Sequence, residues 1–227
     1  MKTHLLTREL IESGGIDAIA ARDAPCVRLL SEGERAASLR AILDARPAGD
    51  AWVFAYGSLI WNPIVHSVES RTARIEGWHR SFCLATLVGR GTAENPGLTL
   101  GLDAGGACTG VALRIPDDIL ERELTLLWRR EMIAGAYVPR WLDLLDEDGR
   151  PFGAAIAFTM DRGNCHYAGG LPVEETARRL ASAAGAIGTA ADYLFQTCEG
   201  LRAHGIPDPS MEDLAARVVA LRAEAEE

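Results

Sequence analysis

Apolar residues along this chain change their spacing twice, and the changes divide it into three regions. Up to about residue 45 they recur at helical intervals, and Ser31 and Glu34 have the spacing of a capping box at a helix start. The segment 46–50, RPAGD, contains proline and glycine and interrupts that pattern. We therefore predict an N-terminal helical extension over residues 1–48, packed on a main domain over residues 51–227.

The middle region consists mainly of short apolar runs bounded by turns. These runs cover residues 52–56, 71–78, 80–88, 98–102, 109–115, 137–145 and 151–160. The segment 146–149, DEDG, predicts a hairpin before the last run. One helix, from near Asp117 to near Met132, is inserted among the strands. Many strands with a single inserted helix predict an α+β fold built on a small mixed barrel or curled sheet, and they disfavour alternating βαβ units.

After Pro172 the spacing becomes helical again. Proline followed by two glutamates is typical of a helix start. Residues 185–188 interrupt the pattern, Thr189 is positioned to cap a helix that ends near His204-Gly205, and Asp208 begins the last helix. We therefore expect helices to flank the strand region at its C-terminal side as well.

The inserted helix carries a carboxylate where its pattern calls for an apolar residue. At about 100° per residue, one stripe of this helix is apolar. The stripe consists of Leu120, Leu124, Leu127 and Trp128. Glu131 lies near the middle of that stripe, where an unpaired carboxylate costs on the order of several kcal/mol. Glu123 is expected at its edge or beyond, and Arg130 is expected to point away.

Three explanations account for Glu131. The helix end meets water there, or the carboxylate pairs with a buried arginine, or it serves as a general base with a raised pKa in a partly dry cavity. The candidate arginines are Arg80, Arg90 and Arg140. The pattern by itself leaves these explanations open.

The turn after the first strand is a second candidate site. Gly57 and Ser58 directly follow the apolar run 52–56. Glycine lets a ligand approach the backbone closely, and bare N–H groups after the strand can bind an anion. An ordinary strand end with a tight turn explains the same spacing.

Composition and charge narrow the possible functions. The chain has 23 Lys and Arg against 32 Asp and Glu, a net charge of −9, which argues against nucleic acid or anionic lipid as the main partner. Five scattered cysteines without a C-x-x-C pair predict unpaired thiols, and the histidines lack metal-ligand spacing. A polar start and the lack of a long apolar run predict no secretory signal and no membrane span. We therefore expect a cytoplasmic protein, and a monomer because no coiled-coil seam is evident.

Four ordered motifs of this chain resemble those of the ChaC-type γ-glutamylcyclotransferases. They are FAYGSLIW at 54–61, GWHRSFC at 77–83, RGT at 90–92 and LWRREM at 127–132. The similarity continues through GAYVPRW at 135–141 and the helical region 185–205, and it reaches TREL at 7–10. Ala55 is a departure, because many relatives have glycine there; a methyl group is tolerable if that residue is extended.

The resemblance implies a γ-glutamylcyclotransferase-like fold, a small barrel flanked by helices, that acts on glutathione. It implies release of 5-oxoproline and Cys-Gly without a metal or an organic cofactor. The loop that holds the γ-glutamyl group in the family corresponds to Tyr56, Gly57, Ser58, Leu59 and Ile60. The acid/base glutamate of the family corresponds to Glu131.

Four polar residues beside the motif segments are further candidates for the cavity lining. They are Arg80, Arg90, Tyr137 and Tyr167. Surface salt bridges or packing at the barrel end explain each of them equally well.

Three other functions compete with glutathione cleavage. The first is cyclotransfer on other γ-glutamyl amino acids or amines, and the second is a non-catalytic regulator of cation transport. The third is a thiol hydrolase that uses Cys83 or Cys165. The cyclotransferase reaction needs no protein nucleophile, since the α-amine of the substrate attacks its own γ-carbonyl. The backbone N–H groups at the glycine turn are suited to bind either the substrate carboxylate or the developing oxyanion.

Overall fold

Over residues 6–225, the part of the chain that this computed structural model describes, five strands close into a barrel. They are β1 (Ala51–Ala55), β2 (Glu69–Thr86), β3 (Gly97–Ile115), β4 (Tyr137–Leu145) and β5 (Pro151–Met160). The strand order is β1-β3-β2-β4-β5, and β5 pairs in parallel with β1 to close the ring. The α+β class and the mixed barrel are confirmed. Residues 1–5 and 226–227, which our domain limits include, lie outside the described range.

Two of the strands are longer than the apolar runs that predicted them. The runs 71–78 and 80–88 form a single strand, β2, and the runs 98–102 and 109–115 form a single strand, β3. Gly77, at φ +80°, lies at a register shift between Glu76 and Trp78. A bulge of this kind bends a strand without ending it, so the glycine is not the break that the pattern suggested.

The inserted helix, α5 (Leu120–Glu131), packs its apolar stripe into the barrel core. Leu124 and Leu127 are fully buried, and the Trp128 ring meets the Phe158 ring edge-on at 5.1 Å between centroids. The predicted stripe is therefore confirmed. Glu131 is the last residue of this helix.

Three N-terminal helices cover the outer side of α5 within the described residues. They are α1 (Arg8–Glu12), α2 (Gly15–Asp23) and α3 (Glu32–Asp44), and α3 has the predicted capping box. The Trp128 indole donates to Ser38 Oγ over 3.2 Å, and Arg8 donates to Glu123 over 2.6 and 3.0 Å. Glu123, expected at the edge of the stripe or beyond, is fully buried because Arg8 of α1 packs over it. The arginine supplied by α1 makes that burial possible, because it compensates the carboxylate charge.

The C-terminal region is helical, as predicted. It contains α6 (Val173–Ser182), a two-stranded turn of β6 (Ala184–Gly185) and β7 (Gly188–Thr189), α7 (Ala190–Ala203) and α8 (Pro209–Glu224). Thr189 caps α7 and Asp208 caps α8 through their side chains. Helix α7 packs against β3 and against the turn that follows β1.

Candidate active site

The turn after β1 is shaped by the close approach of a tyrosine. Gly57 precedes a single helical turn, α4 (Ser58–Trp61), and adopts φ −140° and ψ −125°. A Cβ at this position would lie 2.8 Å from the Tyr193 hydroxyl of α7, so a larger residue would displace one of the two segments. As first residues of a helix, Ser58 and Leu59 have N–H groups with no acceptor within that helix. Ala55 lies within β1 and is extended, which makes its methyl group tolerable.

Glu131 ends α5 and turns its carboxylate into the interior. Its Oε1 atom is buried and has no hydrogen-bond partner, and its side chain is 14% exposed. Burial raises the pKa of this carboxyl group, although the Arg130 charge lowers it in part. The explanation that Glu131 meets water at the helix end is therefore wrong. The arginine beside Glu131 is Arg130, and not one of the candidates Arg80, Arg90 and Arg140.

Arg130 is the charged residue nearest to Glu131, and its predicted outward orientation is wrong. The guanidinium is buried, with Nε 3.0 Å from Glu131 Oε1 but not hydrogen-bonded to it. It donates to Ser58 Oγ over 2.8 Å and to the Asn62 carbonyl over 2.5 Å. The two acceptors, on Ser58 and Asn62, belong to the segment that follows β1. Helix periodicity carries no information on where that segment lies, so it could not predict the inward orientation of Arg130. The motif LWRREM, with Arg130 three residues after Leu127, was the available signal for this residue.

Three tyrosines, the buried Tyr56 and Tyr193 and the partly buried Tyr137, line the small cavity together with the carboxylate. Tyr56 donates to the Phe158 carbonyl over 2.8 Å, and Tyr137 donates to the Leu100 carbonyl over 2.9 Å. Burial raises the pKa of Tyr56, Tyr137 and Tyr193, and the nearby Glu131 charge adds to that effect in each case. All three are therefore neutral phenols near neutral pH.

These groups enclose a small cavity of about 20 Å³, next to a much larger one of about 580 Å³. The small cavity is lined by Tyr56, Gly57, Ser58, Leu59, Leu100, Glu131, Tyr137, Phe158 and Tyr193. Ser58, Glu131, Tyr137 and Tyr193 line both cavities. The larger one therefore leads directly to the carboxylate, and its volume is within the range of small-molecule sites.

Arg90 belongs to the larger cavity. It donates to the Thr189 carbonyl over 2.8 Å, and its guanidinium lies 5.8 Å from the Trp61 ring and 5.4 Å from the Tyr193 ring. Asp192 and Gln196 of α7 line the same cavity, and Gln196 Oε1 is buried without a hydrogen-bond partner. Sequence reasoning did not single out these two residues.

The structure brings together seven of the ten predicted site residues. Ile60, Arg80 and Tyr167 do not line either cavity. Arg80 donates to the carbonyls of Tyr56 and Thr109 and to Asp208, each over 2.6 Å. Tyr167 donates to Asp103 over 2.9 Å. Arg80 therefore supports the backbone at the start of the turn, and Tyr167 belongs to a cluster outside the cavities.

The two cysteines proposed as nucleophiles are poorly suited to that role. Cys83 is buried, and burial raises the pKa of its thiol to about 12. It is therefore a thiol and not a thiolate near neutral pH. Cys165 is exposed and lines neither cavity.

Two further observations concern metals and membranes. No group of three histidine, cysteine or acidic side chains within residues 6–225 is placed to hold a metal ion. Over the same described range, no helix is both long enough and apolar enough to span a bilayer.

Comparison with known proteins identifies the family of this chain. The Escherichia coli protein named glutathione-specific γ-glutamylcyclotransferase is 47% identical over 197 residues, covering 86% of this chain and 85% of the relative. The Arabidopsis thaliana γ-glutamylcyclotransferase 2-3 is 32% identical over 183 residues, covering 78% and 92%. A crystal structure of a γ-glutamylcyclotransferase specific to glutathione from yeast superposes with a TM-score of 0.67 at 20% identity, covering 77% of this chain and 100% of that one, and shows the same fold. A family model described as ChaC-like protein matches residues 51–221, and the chain therefore belongs to the ChaC-like family.

Proposed function

We propose that this protein is a γ-glutamylcyclotransferase that cleaves glutathione to 5-oxoproline and Cys-Gly. One observation carries the proposal: a buried carboxylate oxygen of Glu131 lies in the same small cavity as the glycine turn and accepts no hydrogen bond, although the Arg130 guanidinium is 3.0 Å away. An unsatisfied buried acceptor costs free energy unless a ligand donates to it. The α-amine of a bound γ-glutamyl group is a donor of the required kind.

Glu131 acts as the acid and the base of the reaction. It takes a proton from the α-amine, whose nitrogen then bonds to the γ-carbonyl carbon. The amide bond to cysteine breaks, and the departing nitrogen receives a proton from Glu131. A carboxyl group with a raised pKa is suited to both steps, because such catalysis works best when the pKa is near the working pH.

The cavity supplies cations and donors for the anionic groups of the substrate. Arg90 and Arg130 line the larger cavity, and Ser58 and Leu59, whose N–H groups have no acceptor within α4, line the small one. Tyr137 is neutral and lines both cavities, so we place it against the γ-glutamyl chain. Holding the chain folded back on itself supplies up to roughly 7–11 kcal/mol in favourable cases. Arg80 supports the site indirectly, because it donates to the Tyr56 carbonyl. Tyr167 supports it indirectly as well, because its backbone pairs with Leu84 of β2.

Incubation with reduced glutathione tests this proposal. We expect stoichiometric release of 5-oxoproline and Cys-Gly, and much slower turnover of γ-glutamyl-alanine. Comparable rates for both substrates would favour a general γ-glutamyl cyclotransferase. Release of neither product from either substrate would leave the regulator of cation transport as the better reading.

We further propose that the protein is a monomer of the cytoplasm. Cys26 and Cys165 are exposed, free thiols, which fits a reducing compartment. Among the described residues, the exposed large apolar side chains are the scattered Val68, Val173 and Val219, which form no obvious interface. Light scattering after gel filtration tests the monomer, whose mass is 24.4 kDa.

A further inference from the structure

The lining of the larger cavity contains two chemically different sets of side chains. One set consists of charged and polar groups, among them Glu131, Arg130 and Arg90. The other set is aliphatic, and we call it the apolar wall. The apolar wall consists of Ile16, Ile19, Val27, Leu29, Ile133 and Ile187. All of these except Ile16 keep some accessible surface, so the wall offers apolar area that the fold itself does not cover.

The apolar wall is fixed beside the reacting carboxylate. The Leu30 N–H donates to the Ile133 carbonyl over 2.8 Å, which joins the loop after α2 to the segment after α5. A Cβ on Gly135 would lie 3.3 Å from a Leu30 methyl carbon, so the two segments are in close contact. Ile133 follows Glu131 by two residues. Ile133 and Glu131 also line the same cavity, so the wall and the carboxylate share one space.

Glutathione alone does not use such a surface. Beyond the scissile amide it carries a thiol, a second amide and a carboxylate, all of which are polar. The atom from which an apolar group can extend is the cysteine sulfur, which is separated from the scissile amide nitrogen only by Cα and Cβ. With the γ-glutamyl group at Glu131, a substituent on that sulfur projects into the remaining volume of the cavity.

We propose that the apolar wall is a binding subsite for an apolar alkyl or aryl group carried on the sulfur of glutathione. The protein then cleaves S-substituted glutathione as well as glutathione. This inference rests on the proposed function. The α-amine nitrogen bonds to the γ-carbonyl carbon, the amide bond to cysteine breaks, and the departing nitrogen takes one proton. The products are 5-oxoproline and S-substituted Cys-Gly, and no oxidant or reductant is required.

Kinetics with a series of thioethers test the subsite. We expect the KM for S-hexylglutathione to be at least tenfold below that for glutathione, with S-methylglutathione close to glutathione, because each buried methylene adds affinity. Val27→Thr keeps the side-chain shape but adds a hydroxyl at the wall. It should reduce the advantage of S-hexylglutathione at least threefold. Val219→Thr is the matched control, because Val219 is 58% exposed on α8 and lies outside the cavity, and it should leave the ratio unchanged.

Calorimetry separates the subsite from the reaction. With Glu131→Gln protein, S-hexylglutathione should bind at least tenfold more tightly than glutathione. If the wild-type protein cleaves glutathione, and if glutathione, S-methylglutathione and S-hexylglutathione have equal KM values, the subsite is overturned and the proposed function stands. Tighter binding of S-hexylglutathione without turnover of any substrate by the wild-type protein would support the subsite and overturn the proposed function.

Discussion

Arg130 donates to Ser58 Oγ over 2.8 Å, which joins the end of α5 to the glycine turn. The same guanidinium lies beside Glu131 and donates to the Asn62 carbonyl. One buried cation therefore sets the relative position of the two segments that carry the candidate chemistry. Residues 131 and 58 are far apart in sequence, and this contact fixes them against each other.

Replacing Glu131 with glutamine should abolish turnover and keep the fold. The amide is nearly the same size but cannot take up the amine proton, so we expect kcat to fall about 10²–10⁴-fold. The melting temperature should change little, because the variant removes a buried carboxylate but also removes the negative charge beside the buried Arg130. Glu121→Gln is the control, since Glu121 lies on the same helix with 67% of its side chain exposed. If the Glu131 variant releases 5-oxoproline at nearly the wild-type rate, the role given to this residue is wrong.

Arg130→Lys should impair catalysis by misplacing the glycine turn. Lysine keeps the charge but cannot reach Ser58, Asn62 and Glu131 together. We expect kcat to fall on the order of tenfold or more, with a smaller change in KM. Arg130→Gln should also move the acidic limb of the pH profile to higher pH, because the Arg130 charge lowers the Glu131 pKa.

Arg129→Lys is the control for the two Arg130 variants. The Arg129 side chain lies on the outer face of α5 and pairs with Glu32. Arg129→Lys should leave both kcat and the pH profile close to wild type. An Arg130→Gln profile that coincides with the wild-type profile would show that Arg130 has no electrostatic effect on Glu131.

Gly57→Ala should damage both the turn and the site. The added Cβ would lie 2.8 Å from the Tyr193 hydroxyl, so either the turn or α7 must move. We expect a loss of about 1–3 kcal/mol in the free energy of unfolding, as for other overpacked sites, and at least a tenfold loss of activity. Gly33→Ala is the control, because nothing lies within 4 Å of a Cβ there and the residue is in α3. The Gly33→Ala change should be neutral or slightly stabilising. Urea unfolding measures the free energy of unfolding of both variants.

Removing Arg8 should destabilise the protein strongly near neutral pH. Glu123 is fully buried, and without Arg8 it loses its bidentate partner. We expect Arg8→Ala to cost about 3 kcal/mol in the free energy of unfolding, the lower end of the range for a broken buried pair, because Arg122 and the His66 N–H still bind the Glu123 carboxylate. Arg22→Ala, at an exposed pair with Asp23, should leave the free energy of unfolding close to that of the wild type.

The same pair predicts how stability depends on pH. Burial opposes ionisation of Glu123, but hydrogen bonds from Arg8 and the His66 N–H outweigh it and lower the pKa to about 2, against 4.5 for an ordinary glutamate. Its contribution is therefore present above pH 4.5 and is lost as the pH falls toward 2. The stability difference between wild type and Arg8→Ala should shrink over that window. A difference that stays constant down to pH 2 would contradict the assignment.

Local pattern was sufficient wherever a feature depends on neighbouring residues. Strands β4 and β5 agree with the apolar runs at both ends, and the caps Ser31, Thr189 and Asp208 are where the spacing placed them. The local pattern could not predict that Gly77 is a bulge within one strand and not a break between two. The two cases differ only in whether pairing with the neighbouring strand continues beyond the glycine, as it does here with β3.

The sequence by itself determined the helix stripe, the unusual position of Glu131 on it and the glycine turn, because periodicity and residue type are local properties. Only the tertiary structure decided which charges accompany these features. Arg130 is inward and Arg80 lies outside the cavities because their acceptors come from Ser58, Asn62 and Asp208, on segments distant in sequence. The apolar wall was likewise decided by packing of the N-terminal helices against α5, since a long-range contact between two apolar segments has no signature in either one alone.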